Sequence, residues 1–131
     1  MRVALGILGL WLGAHVLLVA ASVLEVFLYS VAVAPGLDHA DYQAHAEVSA
    51  PWVSIVVGVP LFHAWGRLLG AWRPAGRAGA PALAVWGLYT LTDFVLVTVS
   101  GAWTGGLAAL WVASQGLKGL AMAWGARAPS A

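Results

Sequence analysis

The sequence predicts an all-α integral membrane protein, a four-helix transmembrane bundle with a polar, tryptophan-lined interior and a short external helix or loop between the first and second spans. Three observations predict it. Of the 131 residues, 62% are hydrophobic and only 8% are charged, whereas a soluble domain carries about a quarter charged residues. The apolar residues gather into four stretches, each close to or beyond the roughly 20 residues that a helix needs to cross a bilayer. The polar residues inside those stretches fall on one face of each.

The composition also sets limits. There is no cysteine, so disulfides, thiol catalysis and thiolate metal sites are excluded. A net charge of +1 gives no basic surface for nucleic acid. The natural reading is one domain, residues 1–131.

The first span covers about residues 3–33 and ends at Pro35-Gly36. It is far longer than the 7–15 apolar residues of a signal peptide, and is expected to be retained. Residues 36–50 are too polar to span. Asp38 followed by Asp41 has the pattern of a helix N-cap, which predicts a short surface helix. Pro51 suits the first turn of a second span, about 51–72. The basic, Gly/Pro-rich "RPAGRAGAP" reads as a turn. A third span covers about 82–102, "WTGG" reads as a tight turn, and a fourth span covers about 107–125.

Arg2, Arg73, Arg77 and Arg127 fall on one side if the spans alternate, and the Asp38–Glu47 segment, which lacks Arg and Lys, falls on the other. The excess of Lys and Arg on cytoplasmic flanks places both termini in the cytoplasm of a plasma or inner membrane.

At about 100° per residue, spacings of three, four and seven mark one face of a helix. In the first span that face carries Trp11, His15, Leu18, Ser22, Glu25 and Tyr29. The second carries Trp52, Val56, Val59, His63, Gly66, Arg67 and Gly70. The third gives Trp86, Tyr89, Thr90, Asp93, Val97 and Ser100, and the fourth Trp111, Ser114, Gln115, Lys118 and Met122. In lipid, an ionisable group must face the bundle interior, pair, or meet water. All four faces are therefore expected to turn inward. From a helix rise of about 1.5 Å per residue, His15, His63, Asp93 and Gln115 lie midway through their spans. Lys118 and Arg67 lie nearer the cytoplasm, and Glu25 and Tyr29 nearer the outside.

This pattern nominates Asp93, Glu25, His63 and His15 as acid–base groups. Tyr29, Trp52, Arg67, Trp86, Tyr89, Trp111, Gln115 and Lys118 are the expected substrate contacts. Trp65, Trp72, Trp103 and Trp124 read as interfacial belt residues.

Carboxylates and imidazoles in such a setting suit proton transfer, and tryptophan faces can steady a cation. The expected function is therefore a small intramembrane enzyme, of isomerase, cyclase or epoxide-opening type, acting on a lipophilic substrate. A proton-coupled transporter, dimeric and using Asp93 or Glu25, is the first alternative. A haem- or quinone-binding electron-transfer subunit is the second, with haem between His15 and His63. No cofactor is required by the enzyme reading. Asp38, His39, Asp41 and His45 include possible metal ligands, but this mixture is common on wet surface helices. The expected partners are a lipophilic small molecule and membrane lipid. Gly9 and Gly13 form a G-x-x-x-G that allows a homodimer or close packing within one subunit.

Overall fold

The computed structural model describes residues 2–73 and 77–127, with Arg2 described by its backbone alone. All regular structure among them is helical: α1 (Arg2–Leu28) running into a π-helical turn (Tyr29–Val33), α2 (His39–Val56), α3 (Gly58–Trp72), α4 (Gly79–Ser100) and α5 (Gly105–Arg127). Three helical stretches are long and apolar enough to cross a membrane, namely Val3–Val33, His39–Trp72 and Gly79–Ser100. Helix α5 is of similar length but carries Ser114, Gln115 and Lys118.

The helix ends follow from local chemistry. Asp38 accepts a hydrogen bond from the Asp41 N–H at 3.0 Å, so the expected N-cap is present. The helix it opens is longer than expected. It does not stop short of the membrane-length stretch but continues through Pro51 to Val56, so Pro51 lies inside a helix rather than in a first turn. Pro60 leaves the Val56 carbonyl without its usual N–H partner, and regular helix breaks at Val57, between α2 and α3. Gly101 ends α4 in the left-handed region (φ 69°), a conformation open to glycine. Thr104 then accepts from the Leu107 N–H at 3.1 Å and caps α5. Of the expected basic turn, residues 74–76 lie outside the described residues.

Packing is tightest between α3 and α5. A Cβ added at Gly66 would overlap the Met122 carbonyl oxygen, and one at Gly125 would overlap that of His63. The two backbones touch because neither glycine has a side chain. Thus Gly66 and Gly70 act within the subunit. Gly13 does too, since a Cβ added there would lie 3.4 Å from the Trp65 ring, whereas Gly9 faces open space. The core joins Leu10, Ala14 and Leu18 of α1 to Phe62, Val85, Tyr89 and Met122.

The surface is strongly apolar, and beside the hydrophobic core a few polar groups are buried. Lys118 is fully buried and Gln115 and Ser114 nearly so, while Val23, Val99 and Leu120 are 65%, 82% and 71% exposed. An apolar exterior with the ionisable and polar groups turned inward suits a bilayer.

Candidate functional site

Beyond the α3–α5 contact, toward the end of the bundle that carries the Gly101–Thr104 turn, α2, α4 and α5 enclose a cleft of about 750 Å³. Its volume lies within the range of about 300–1,000 Å³ typical of small-molecule sites. Val48, Pro51, Val97, Leu107 and Leu110 give it apolar walls, and Gln43, Glu47, Ser100 and Thr104 add polar groups. Asp93, Trp111, Ser54 and Ser114 also line it, and they lie deeper along their helices.

Asp93 is held from one side. Its Oδ2 accepts from the Trp111 indole N–H at 2.7 Å and from the Gln115 amide at 2.8 Å. Both donors come from α5, one helical turn apart, so they converge on one oxygen of a residue on α4. No described residue hydrogen-bonds to Oδ1. Gln115 is fixed in turn: its amide oxygen accepts from Thr90 at 3.2 Å, and its backbone carbonyl accepts from the Trp86 indole at 2.9 Å. Gly119 leaves the space that the Trp86 ring fills.

Lys118 is the other half of the site. Its ammonium donates to Ser54 Oγ at 2.6 Å and to the Tyr89 hydroxyl at 3.4 Å, and it lies 4.8 Å from the centre of the Tyr89 ring. Gly58 makes this possible, since a Cβ there would sit 2.5 Å from Lys118 Cε. Among the described residues Lys118 makes no ion pair. Ser114 Oγ is buried with no hydrogen-bond partner among them.

The remaining expected site residues are distributed over three other places. His15 Nδ1 lies 3.0 Å from the Trp11 carbonyl, its ring packs 4.7 Å from Tyr89, and its Nε2 is buried without a partner among the described residues. His63 Nδ1 lies 3.3 Å from the Ala121 carbonyl, with its ring near Trp124. The two histidines thus have different neighbours. Glu25 and Tyr29 belong to a cluster that ties α1 to α2. The Glu25 carboxylate meets His45 Nε2 at 2.7 Å and accepts from Ser49 at 2.8 Å, and the Tyr29 ring stacks on His45 at 3.6 Å. Among the described residues no group of three or more His, Asp or Glu is placed to hold a metal ion.

Three residues of the second-span face expected inside point outward, Val56 among them at 69% exposed. Trp52 is 55% exposed and Arg67 is also exposed. The face of the second span that turns inward is instead Ser54, Gly58, Phe62, Gly66 and Leu69. Conversely, Trp65, expected in the interfacial belt, is half-buried against the core and donates to the Leu10 carbonyl at 2.9 Å.

Ser54, the partner of Lys118, is absent from the residues that the polar stripes nominated. The signal for it was the run of small residues at Ser54, Gly58, Gly66 and Gly70, four or eight apart, which marks close helix approach more directly than a scattered polar stripe. No protein-family model, curated protein or solved structure matches the chain.

Proposed function

We propose that this chain is a small intramembrane enzyme that spans the bilayer four times and carries out acid–base chemistry on a lipophilic substrate in the cleft, with Asp93 as the proton acceptor and donor. The observation that carries this reading is the asymmetric hold on Asp93. Two N–H donors fix Oδ2, while Oδ1 has no partner among the described residues and Asp93 lines the cleft. A carboxylate oriented by fixed donors, with one oxygen left for a ligand, is suited to proton transfer at a defined atom.

In this reading Trp111 and Gln115 position Asp93 and strengthen in their hold as the carboxylate regains its charge. The apolar walls receive the hydrocarbon part of the substrate, and Glu47 and Gln43 stand where its polar end meets water. The close backbone contact of α3 and α5 favours a cleft with one mouth over a path through the bundle, which favours enzyme over transporter. Both termini are assigned to the cytoplasm and the α1–α2 connection to the outside. Arg67, exposed on α3 but near its cytoplasmic end, reaches the interface by extending its side chain.

The test works on a mixture, with no single substrate chosen in advance. Purified protein is incubated with a total lipid extract in D2O, and the lipids are analysed by mass spectrometry. An enzyme that removes and returns a proton on carbon introduces deuterium into one lipid class. The wild type is expected to do so and Asp93→Asn is not. Equal deuterium incorporation by a folded Asp93→Asn protein would remove Asp93 from the chemistry.

A further inference from the structure

We infer that Ser54 and Lys118 form a nucleophile–base pair, and that the same cleft has an acyl-transfer activity toward carboxylic esters with a long apolar acyl chain. This rests on the reading that the cleft admits a lipophilic small molecule, but its chemistry does not use Asp93.

Four observations carry it. The Lys118 nitrogen is 2.6 Å from Ser54 Oγ, within the range for a nucleophile and its general base. Lys118 is fully buried and its partners are hydroxyls, with no ion pair among the described residues. A lysine spent on balancing charge would sit against a carboxylate. Buried lysines can instead serve as general bases, and serine–lysine pairs are one variant of the hydrolytic triad. Ser54 lines the cleft, so the pair is open to a ligand on the serine side. Finally, Ser114 lines the same cleft with a buried hydroxyl that has no partner among the described residues, and it supplies a donor for a developing oxyanion.

Ser54 Oγ bonds to the ester carbonyl carbon, its proton passes to the amine form of Lys118, and the carbonyl electron pair moves onto oxygen, toward the Ser114 hydroxyl. On collapse, the bond to the alcohol oxygen breaks and Lys118 returns the proton to it. Water then adds to the acyl-Ser54 ester while Lys118 takes its proton. Collapse releases the carboxylic acid and returns the proton to Ser54. Tyr89, 3.4 Å from the amine, positions Lys118 through its hydroxyl and ring.

The experiment uses the full chain in detergent micelles and a fluorophosphonate bearing a long alkyl chain, read by intact mass and peptide mapping. Fluoride leaves as the serine oxygen bonds to phosphorus. One adduct on Ser54 is expected, absent in Ser54→Ala. Lys118→Met keeps an unbranched buried chain but removes the base, and should label about 100-fold more slowly. If that variant does not fold, Gly58→Ala is the second test. Its Cβ displaces a flexible side chain rather than backbone, moves the amine off Ser54, and should slow labelling in a folded protein. No adduct on folded wild type, an adduct on another residue, or an undiminished rate in folded Lys118→Met or Gly58→Ala would overturn the pair. Labelling without deuterium exchange would leave the pair standing and remove the Asp93 reading; exchange without labelling would do the reverse.

Discussion

Replacing Asp93 in two ways separates a positioned carboxylate from a charge that merely balances a lysine. Asparagine keeps a carbonyl oxygen where Oδ2 stands, so both the Trp111 and Gln115 bonds survive as neutral ones. Hydrogen bonds between membrane helices average about 0.6 kcal/mol, and losing the charge weakens two of them, so Asp93→Asn should cost about 1 kcal/mol. Alanine removes the acceptor and leaves two donors unmatched at about 1–3 kcal/mol each, or about 2–6 kcal/mol. Were Asp93 instead the counter-charge of Lys118, asparagine would leave a buried cation alone at about 3–5 kcal/mol. The assay is reversible unfolding in mixed micelles followed by tryptophan fluorescence. An Asp93→Asn protein as unstable as Asp93→Ala would refute the positioning role of Trp111 and Gln115.

Further predictions concern the frame and its orientation. Gly66→Ala drives a Cβ into the Met122 carbonyl oxygen; backbone cannot yield as a side chain does, so the loss should reach about 1–3 kcal/mol or more, read by the same unfolding assay. Gly9→Ala meets nothing within 4 Å and should hold or raise stability by up to about 1 kcal/mol; a loss of crosslinked dimer in that variant would identify Gly9 as a contact between copies. The chain has no cysteine, so Ala46→Cys gives one reporter of sidedness. It should react with an impermeant maleimide from outside intact cells, and labelling from the cytoplasmic side alone would invert the topology.

What could be read from the sequence was local or periodic. Asp38 caps a helix through a bond to a backbone N–H three residues away, and such short-range geometry is written in adjacent letters. The burial of Tyr89, Ser114, Gln115 and Lys118 followed from periodicity, because a polar group in an apolar helix has few places to turn. The second span misled for a physical reason. Arg67 has a long stem and sits near a helix end, so it can face outward, while glycine leaves no polarity signal although it decides which face packs. Pairings across the fold were beyond reach: Glu25 with His45 crosses a chain reversal, and Lys118 with Ser54 spans 64 positions. Matching depth in four helices did not make one centre, because His15 and His63 each found nearer partners.

The helices also differ in height. His39–Trp72 contains 34 residues and Gly79–Ser100 only 22, contours of about 51 and 33 Å at about 1.5 Å per residue. The longer stretch is not one straight rod, since regular helix breaks at Val57 between α2 and α3, but α2 reaches the cleft with Gln43, Glu47, Val48 and Ser54, opposite Ser100 of α4. The cleft is thus walled by α2 on one side and bordered by the Gly101–Thr104 turn on another. In the proposed orientation that turn faces the lipid headgroups, and under the proposed function a guest would enter sideways out of the bilayer rather than from bulk water. The relevant concentration is then moles of guest per mole of lipid. Apparent affinity should fall when empty vesicles are added at constant total guest, by simple dilution within the two-dimensional phase.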